Sequence, residues 1–330
     1  PVLIPLLVLA PILVPESRDP KPGRIDPLSI VLSMATMVPI VYAIKEFAVH
    51  GAGALPLVLV VVGVGFGWLF VRRQLHSDSP MLDMRLFRQS AFTGALLVNL
   101  LSVVALVGFL YFVTQHLQLI IGLSPLQAGL ALVPGLVLMI VSGLTVVPVS
   151  RRVSPRVVVP VALALSVAAY VAIAVSTDAS ALGTLIAAFG LLGIGIGAAE
   201  TVSNELILAS APPAKAGAAS AVSETAYELG AVLGTAVLGG ILTALYRSGI
   251  VLPAGLPAGS ADAARETLGG AVTVAETLPG DLGARVVDAA ASAFDAGVGV
   301  TSIIGAVLVV CAALIAATTL KGTRTPRVDH

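Results

Sequence analysis

The sequence predicts an all-α integral membrane protein, and three observations carry that expectation. Of 330 residues, 57% are hydrophobic and only 11% are charged, whereas an average soluble domain carries roughly 25% charged residues. Mean hydropathy is +1.03. The apolar residues are also gathered into runs close to the roughly 20 residues that a helix needs to cross a bilayer. A β-barrel would show strands of about 10 residues with alternating polarity, and the sequence has no such pattern. This composition excludes a soluble globular enzyme, and a disordered segment, which requires low hydrophobicity. Net charge is zero, with 18 basic and 18 acidic residues, so no overall field attracts nucleic acid. The single cysteine, Cys311, lies in an apolar run, which excludes a disulfide framework and a cysteine zinc site. His50, His76, His116 and His330 are scattered without metal-ligand spacing.

Residues 1–15 are apolar but shorter than a crossing. They are expected to be the tail of a truncated transmembrane helix, which makes the chain a fragment. Eight longer runs follow, at 28–47, 54–71, 91–120, 124–149, 157–176, 181–209, 216–245 and 296–320. Each is long enough, or nearly so, to span as a helix. Spacing groups them. Residues 16–90 hold two linker helices and their connections, and 91–320 hold a six-helix bundle. Six helices often divide into two inverted three-helix repeats. Residues 321–330 form a tail. Within the bundle, a long connection at about 247–295 is expected to carry amphipathic helices at 261–278 and 281–295, split at Pro279 and Gly280.

Basic residues orient the helices, because short cytoplasmic connections carry excess Lys and Arg. Fourteen of the 18 basic residues fall in alternate connections and the tail, including Arg72, Arg73, Arg85, Arg88, Arg151, Arg152 and Arg156. The other side has only Arg247, Arg265 and Arg285, and Lys45 lies within a span. The Arg-rich side is therefore expected to be cytoplasmic, with the C-terminus there and the 247–295 connection outside.

Charges inside a span cost about 2.5–3.5 kcal/mol on insertion scales and signal function. Glu224 and Glu228 fall roughly 12 and 18 Å into a core of about 30 Å. Their i,i+4 spacing places both on one helix face. Crowded, desolvated carboxylates suit a group that takes up and gives up protons. An apolar pocket with a carboxylate also attracts a lipophilic cation, and Tyr227 offers an aromatic face for cation–π contact. Glu200 lies near the middle of its run, with Asn204 four residues on. Glu205 is expected at the cytoplasmic interface. Gln115 and His116 lie near the outer end of 91–120 as secondary candidates, the histidine either relaying protons or hydrogen-bonding at the interface. Gly193-x-x-x-Gly197 and Gly230-x-x-x-Gly234 allow close helix approach. No catalytic constellation, metal motif or nucleotide loop is present in the sequence.

Several segments resemble the major facilitator superfamily, specifically its 14-span drug:proton antiporter branch. Met81-Leu82-Asp83-Met84-Arg85-Leu86-Phe87-Arg88 resembles the entry to the ninth helix. Thr114-Gln115-His116-Leu117-Gln118 and Gly122-Leu123-Ser124-Pro125-Leu126-Gln127-Ala128-Gly129-Leu130 resemble the link between the ninth and tenth. Arg151-Arg152-Val153-Ser154-Pro155-Arg156 is similar to the basic cytoplasmic loop, and Ala211 to Ala221 to the link into the thirteenth helix. Ser223 to Gly230, with the large outer loop, looks most like exporters of quaternary ammonium compounds and cationic dyes. The resemblance implies a C-terminal six-helix bundle plus two linker helices and a partial N-terminal helix. It implies proton-coupled efflux of lipophilic cations across the plasma membrane. It also implies the proton motive force as the energy source, with no cofactor. The matching cation-recognition positions are Glu224 and Glu228. The partners implied are cationic small molecules, protons, the lipid bilayer and an N-terminal bundle beyond this chain. The alternatives are an exporter of a lipid or natural-product antibiotic, and a non-transporting membrane receptor or assembly protein.

Overall fold

The computed structural model describes residues 26–50, 53–77, 84–176, 182–212 and 215–321. The expected partial helix at 1–15 and most of the tail at 321–330 lie outside the described residues. So do Met81 to Asp83 and the connection 177–181.

Lipid offers no partners for backbone polar groups, so a crossing segment must satisfy its own as a helix. The described residues accordingly form helices joined by short connections, without strands. Helices α1 (Pro27–His50) and α2 (Ala54–His76) form a hairpin. A 3₁₀ turn at Met84–Arg88 leads into α3 (Ser90–Gln115), which continues as a π-helical segment, His116–Ile120. Then come α4 (Pro125–Ser150), α5 (Pro155–Val175) and α6 (Leu182–Ala209). Helix α7 (Ala216–Leu233) runs through a second π segment, Gly234–Gly239, into α8 (Gly240–Gly249). Two short helices, α9 (Ala258–Glu266) and α10 (Leu268–Thr277), precede α11 (Gly280–Thr319). Eight of the described helical stretches are long and apolar enough to cross a membrane, and each expected run falls on one of them.

Local chemistry sets the helix starts. Ser124 and Gln127 form a reciprocal capping box at α4, with contacts of 3.3 and 2.9 Å, and Pro125 takes the first turn, where its missing N–H costs nothing. Thr267 is extended and its hydroxyl accepts from Gly270 N at 3.0 Å. That cap splits the expected 261–278 helix into α9 and α10. Residues 281–295, expected as a short helix of their own, run on into the last span as one 40-residue helix. No proline falls between Pro279 and Pro326, so nothing interrupts the hydrogen-bond ladder. At 1.5 Å per residue α11 is about 60 Å long, twice the hydrocarbon thickness.

Packing is dense where side chains are small. Helix α6 lies between α4 and α5, α11 packs on α5, α3 and α8, and α3 contacts α6 and α7. Phe109, Phe112, Tyr170 and Phe189 are fully buried at the centre, with Phe109 stacked on Phe189 at 5.7 Å. A Cβ on Gly193 would come within 2.8 Å of the Gly135 carbonyl, and one on Gly230 within 2.9 Å of the Leu100 carbonyl. These glycines let α6 approach α4, and α7 approach α3. In the hairpin, Arg73 clasps Asp26 with two hydrogen bonds of 2.8 and 3.0 Å. The guanidinium holds the Asp26 carboxyl well below the usual carboxylate range, so the clasp is ionic at any physiological pH.

The glycine contact has a measurable consequence. Gly230→Ala is expected to cost about 1–3 kcal/mol through overpacking and to lower the Tm of the detergent-solubilised protein. Gly240→Ala, where a Cβ would meet nothing within 4 Å, is expected to leave Tm unchanged or raised.

Candidate functional site

Three helices bring the polar residues of the bundle together. About a third of the way along α3, in the apolar stretch Leu-Val-Asn-Leu-Leu, Asn99 is buried at 5% exposure. Its amide donates to Ser223 Oγ on α7 at 3.2 Å, and Ser223 in turn donates to Asn204 Oδ1 on α6 at 3.0 Å. The chain Asn99–Ser223–Asn204 thus ties α3, α7 and α6 at one level. Glu200 stands one turn from Asn204 on α6, and its Oε1 is buried without a hydrogen-bond partner among the described residues.

On α7 the expected pair is found on a common face. Glu224 and Glu228 are both exposed, as is Tyr227 at 38%. Among the described residues none of Glu200, Glu224 and Glu228 makes a salt bridge. Tyr227 stands within electrostatic reach of all three carboxylates. The sequence places Glu224 and Glu228 at mid-span, and the structure adds that they lie on a face this chain leaves uncovered. Four of the expected residues (Glu200, Tyr227, Glu224, Glu228) therefore share one region, with Asn204 linked to it through Ser223. This region groups carboxylates and an aromatic ring on an otherwise apolar bundle. It is suited to attract a cation and to hold protons. Glu205 lies further along α6, within electrostatic reach of Arg151.

Gln115 and His116 belong elsewhere. They lie about 25 Å along α3 from Asn99. Gln115 donates back to the Tyr111 carbonyl of its own helix at 3.4 Å. His116 is buried, and its Nδ1 lies 3.2 Å from Asp295 Oδ1 on α11. The π-helical turn carries His116 inward, where Phe294 flanks its ring at 6.3 Å. The α9–α10 cap sits on this end. Tyr246 on α8 donates to the Ala264 carbonyl at 2.7 Å, and Arg247 to the Glu266 carbonyl at 3.1 Å. A cleft of about 430 Å³ opens nearby between α8 and α11, lined by Leu245, Ser248, Ala289, Ser292 and Gly297 among others. No ionisable side chain lines it.

Asn99, Ser223 as a hydrogen-bonding hub, and Asp295 as the partner of His116 are additions to the expected set. A lone asparagine within an apolar run was the available signal for Asn99. Among the described residues no cluster of His, Cys, Asp and Glu is arranged to hold a metal.

Apolar spanning helices with ionisable side chains at mid-span define a polytopic membrane protein of the transporter type. The chain belongs to the Major Facilitator Superfamily, whose family model matches residues 92–261. It is 49% identical to the multidrug efflux pump LfrA of Mycolicibacterium smegmatis over 96% of this chain and 62% of that protein. It is 35% identical to the methyl viologen resistance protein SmvA of Salmonella typhimurium over 68% of this chain and 46% of that one. The tetracenomycin C resistance and export protein of Streptomyces glaucescens is 29% identical over 95% of this chain and 60% of its own length. The chain thus spans about half to six tenths of these relatives. In fold it is similar to the crystal structure of a bacterial homolog to the human lysosomal transporter Spinster, inward-facing and unoccupied. The TM-score is 0.56 at 16% identity, over 90% of this chain and 70% of that one.

The His116–Asp295 contact is expected to hold the cap end of α3 to α11. Asp295→Ala should speed hydrogen exchange in 258–277 several-fold, with exchange in α5 unchanged. Equal exchange in both proteins would show that the pair does not anchor the cap.

Proposed function

We propose that the chain is the C-terminal transport bundle of a proton-coupled multidrug efflux pump that exports lipophilic cations across the plasma membrane. The observation that carries this reading is the grouping of Glu200, Glu224, Glu228 and Tyr227 on α6 and α7. These carboxylates have no cationic side chain to balance them among the described residues. Bound at such carboxylates, an organic cation favours their ionised form and so expels protons. Protonation expels the cation by the same factor, since coupling is reciprocal. That exchange is antiport.

The relatives' names support the substrate class. One is a multidrug efflux pump, and another is named for resistance to methyl viologen, an organic dication. Alternating access needs two bundles rocking about a central site. The face bearing Glu224 and Glu228 is where the N-terminal bundle of the full-length protein packs. The 330-residue chain is expected not to transport alone. The Arg-rich ends of the helices face the cytoplasm, where the C-terminus lies, and the α9–α10 cap faces outward. A second reading, export of a natural-product antibiotic, draws on the tetracenomycin C exporter, which aligns with 95% of the chain.

The test is ethidium efflux from energised cells expressing the full-length protein, with Glu200→Gln, Glu224→Gln and Glu228→Gln in parallel. The parent is expected to extrude dye, a protonophore to stop it, and at least one Gln variant to lose about tenfold or more in rate. A well-expressed parent that moves no dye contradicts the cation reading and favours the antibiotic exporter. Efflux that survives all three substitutions removes the site from these helices.

A further inference from the structure

Four buried side-chain oxygens at the α3–α6–α7 junction have no hydrogen-bond partner among the described residues: Asn99 Oδ1, Ser102 Oγ, Ser203 Oγ and Glu200 Oε1. Ser102 and Ser203 are fully buried. More than about 90% of buried polar groups in folded proteins are paired, so four at one junction point to a ligand. Their common level follows from the hydrogen-bond chain. Asn99 is two hydrogen bonds from Asn204, while Ser203 and Glu200 lie within one turn of Asn204, about 6 Å along the axis. Ser102 follows Asn99 by three residues on the same helix face.

The donor set suits water. One amide oxygen, two hydroxyls and one carboxylate oxygen match water, which takes two to four polar partners and both donates and accepts. We propose that this junction is an internal water site through which Glu200 exchanges its proton, with Asn99 and Ser223 as its positioning residues. The proposal rests on the proton-coupled reading above. In the outward transfer the O–H bond at Glu200 Oε1 breaks, and a new O–H bond forms on the adjacent water, leaving a carboxylate and a hydronium. The hydronium passes one proton to the next water, and uptake reverses the sequence. Ser223 fixes the Asn99 amide so that its Oδ1 turns toward the site, and bonds Asn204 with its own proton. The titratable groups around Glu200 are Tyr227 on α7, with Glu224 and Glu228 beside it, and Glu205 further along α6 against Arg151. Helix α4 has no ionisable side chain, α3 has only Tyr111, and the ionisable residues of α5 are Arg156 and Tyr170.

The experiment is ethidium transport by the full-length protein in inverted membrane vesicles over a pH series, with equilibrium ethidium binding measured on the same variants. Asn99→Leu and Ser223→Ala are expected to slow maximal transport about tenfold, part of the 10²–10⁴-fold that positioned proton transfer typically contributes. They are also expected to shift the pH of half-maximal transport by about one unit. Ethidium affinity should stay within about twofold, and Ser223→Thr should restore both rate and profile. Should Asn99→Leu lose binding, the comparison of Ser223→Ala with Ser223→Thr decides. If both variants keep the parent's rate and pH profile while Glu200→Gln abolishes the pH dependence, the water site is overturned and the proton-coupled reading stands. If Glu200→Gln retains pH-dependent transport, the water site is overturned while the proton-coupled reading stands on Glu224 and Glu228; parent transport with no pH dependence removes that reading and the water site with it. Transport that follows sodium rather than pH also overturns it, since a hard cation takes the same oxygens.

Discussion

The hydrocarbon core of a bilayer has no water to satisfy a polar group, and the architecture of this chain follows from that constraint. Backbone N–H and C=O groups must pair within their own segment, so the spanning runs are helical. Helices in lipid gain little from hiding apolar faces from each other, so association depends on close packing and on hydrogen bonds. Both devices occur here. Glycines at 193 and 230 bring backbones within contact of the carbonyls of Gly135 and Leu100. A short polar chain from Asn99 through Ser223 to Asn204 then ties three helices where they meet.

The same constraint divides the polar groups by whether they are paired. At the ends of the helices polar groups are paired: Asp26 with Arg73, His116 with Asp295, and Tyr246 with the cap backbone. Those contacts hold a hairpin, a helix end and a loop. At mid-span the carboxylates of Glu200, Glu224 and Glu228 have no salt bridge among the described residues. Insertion of such groups costs a few kcal/mol apiece, and packing alone would be better served by leucine. Their retention at mid-span is what singles out α6 and α7.

Much of this was legible in the sequence because the determining signals are local. Apolar run length fixed the eight spans, and Ser124-Pro125-Leu126-Gln127 marked a helix start that the structure closes as a capping box. The i,i+4 spacing of Glu224 and Glu228 put them on one face. Features that depend on tertiary partners were not legible. Glu200 is set apart by one oxygen buried against neighbouring helices, a property no spacing reveals. His116 is drawn inward by a π-helical turn and meets an aspartate 179 residues further along the chain. The continuous 40-residue α11 was hidden by the polar stretch at 281–295. That stretch is polar without breaking the helix.

The central claim is that one group of carboxylates serves both cation and proton. Proton release from the purified full-length protein in weakly buffered solution, on addition of ethidium, tests it most directly. The account predicts release that saturates with ethidium binding and vanishes in Glu200→Gln. Binding of ethidium with no release of protons at any pH would contradict it.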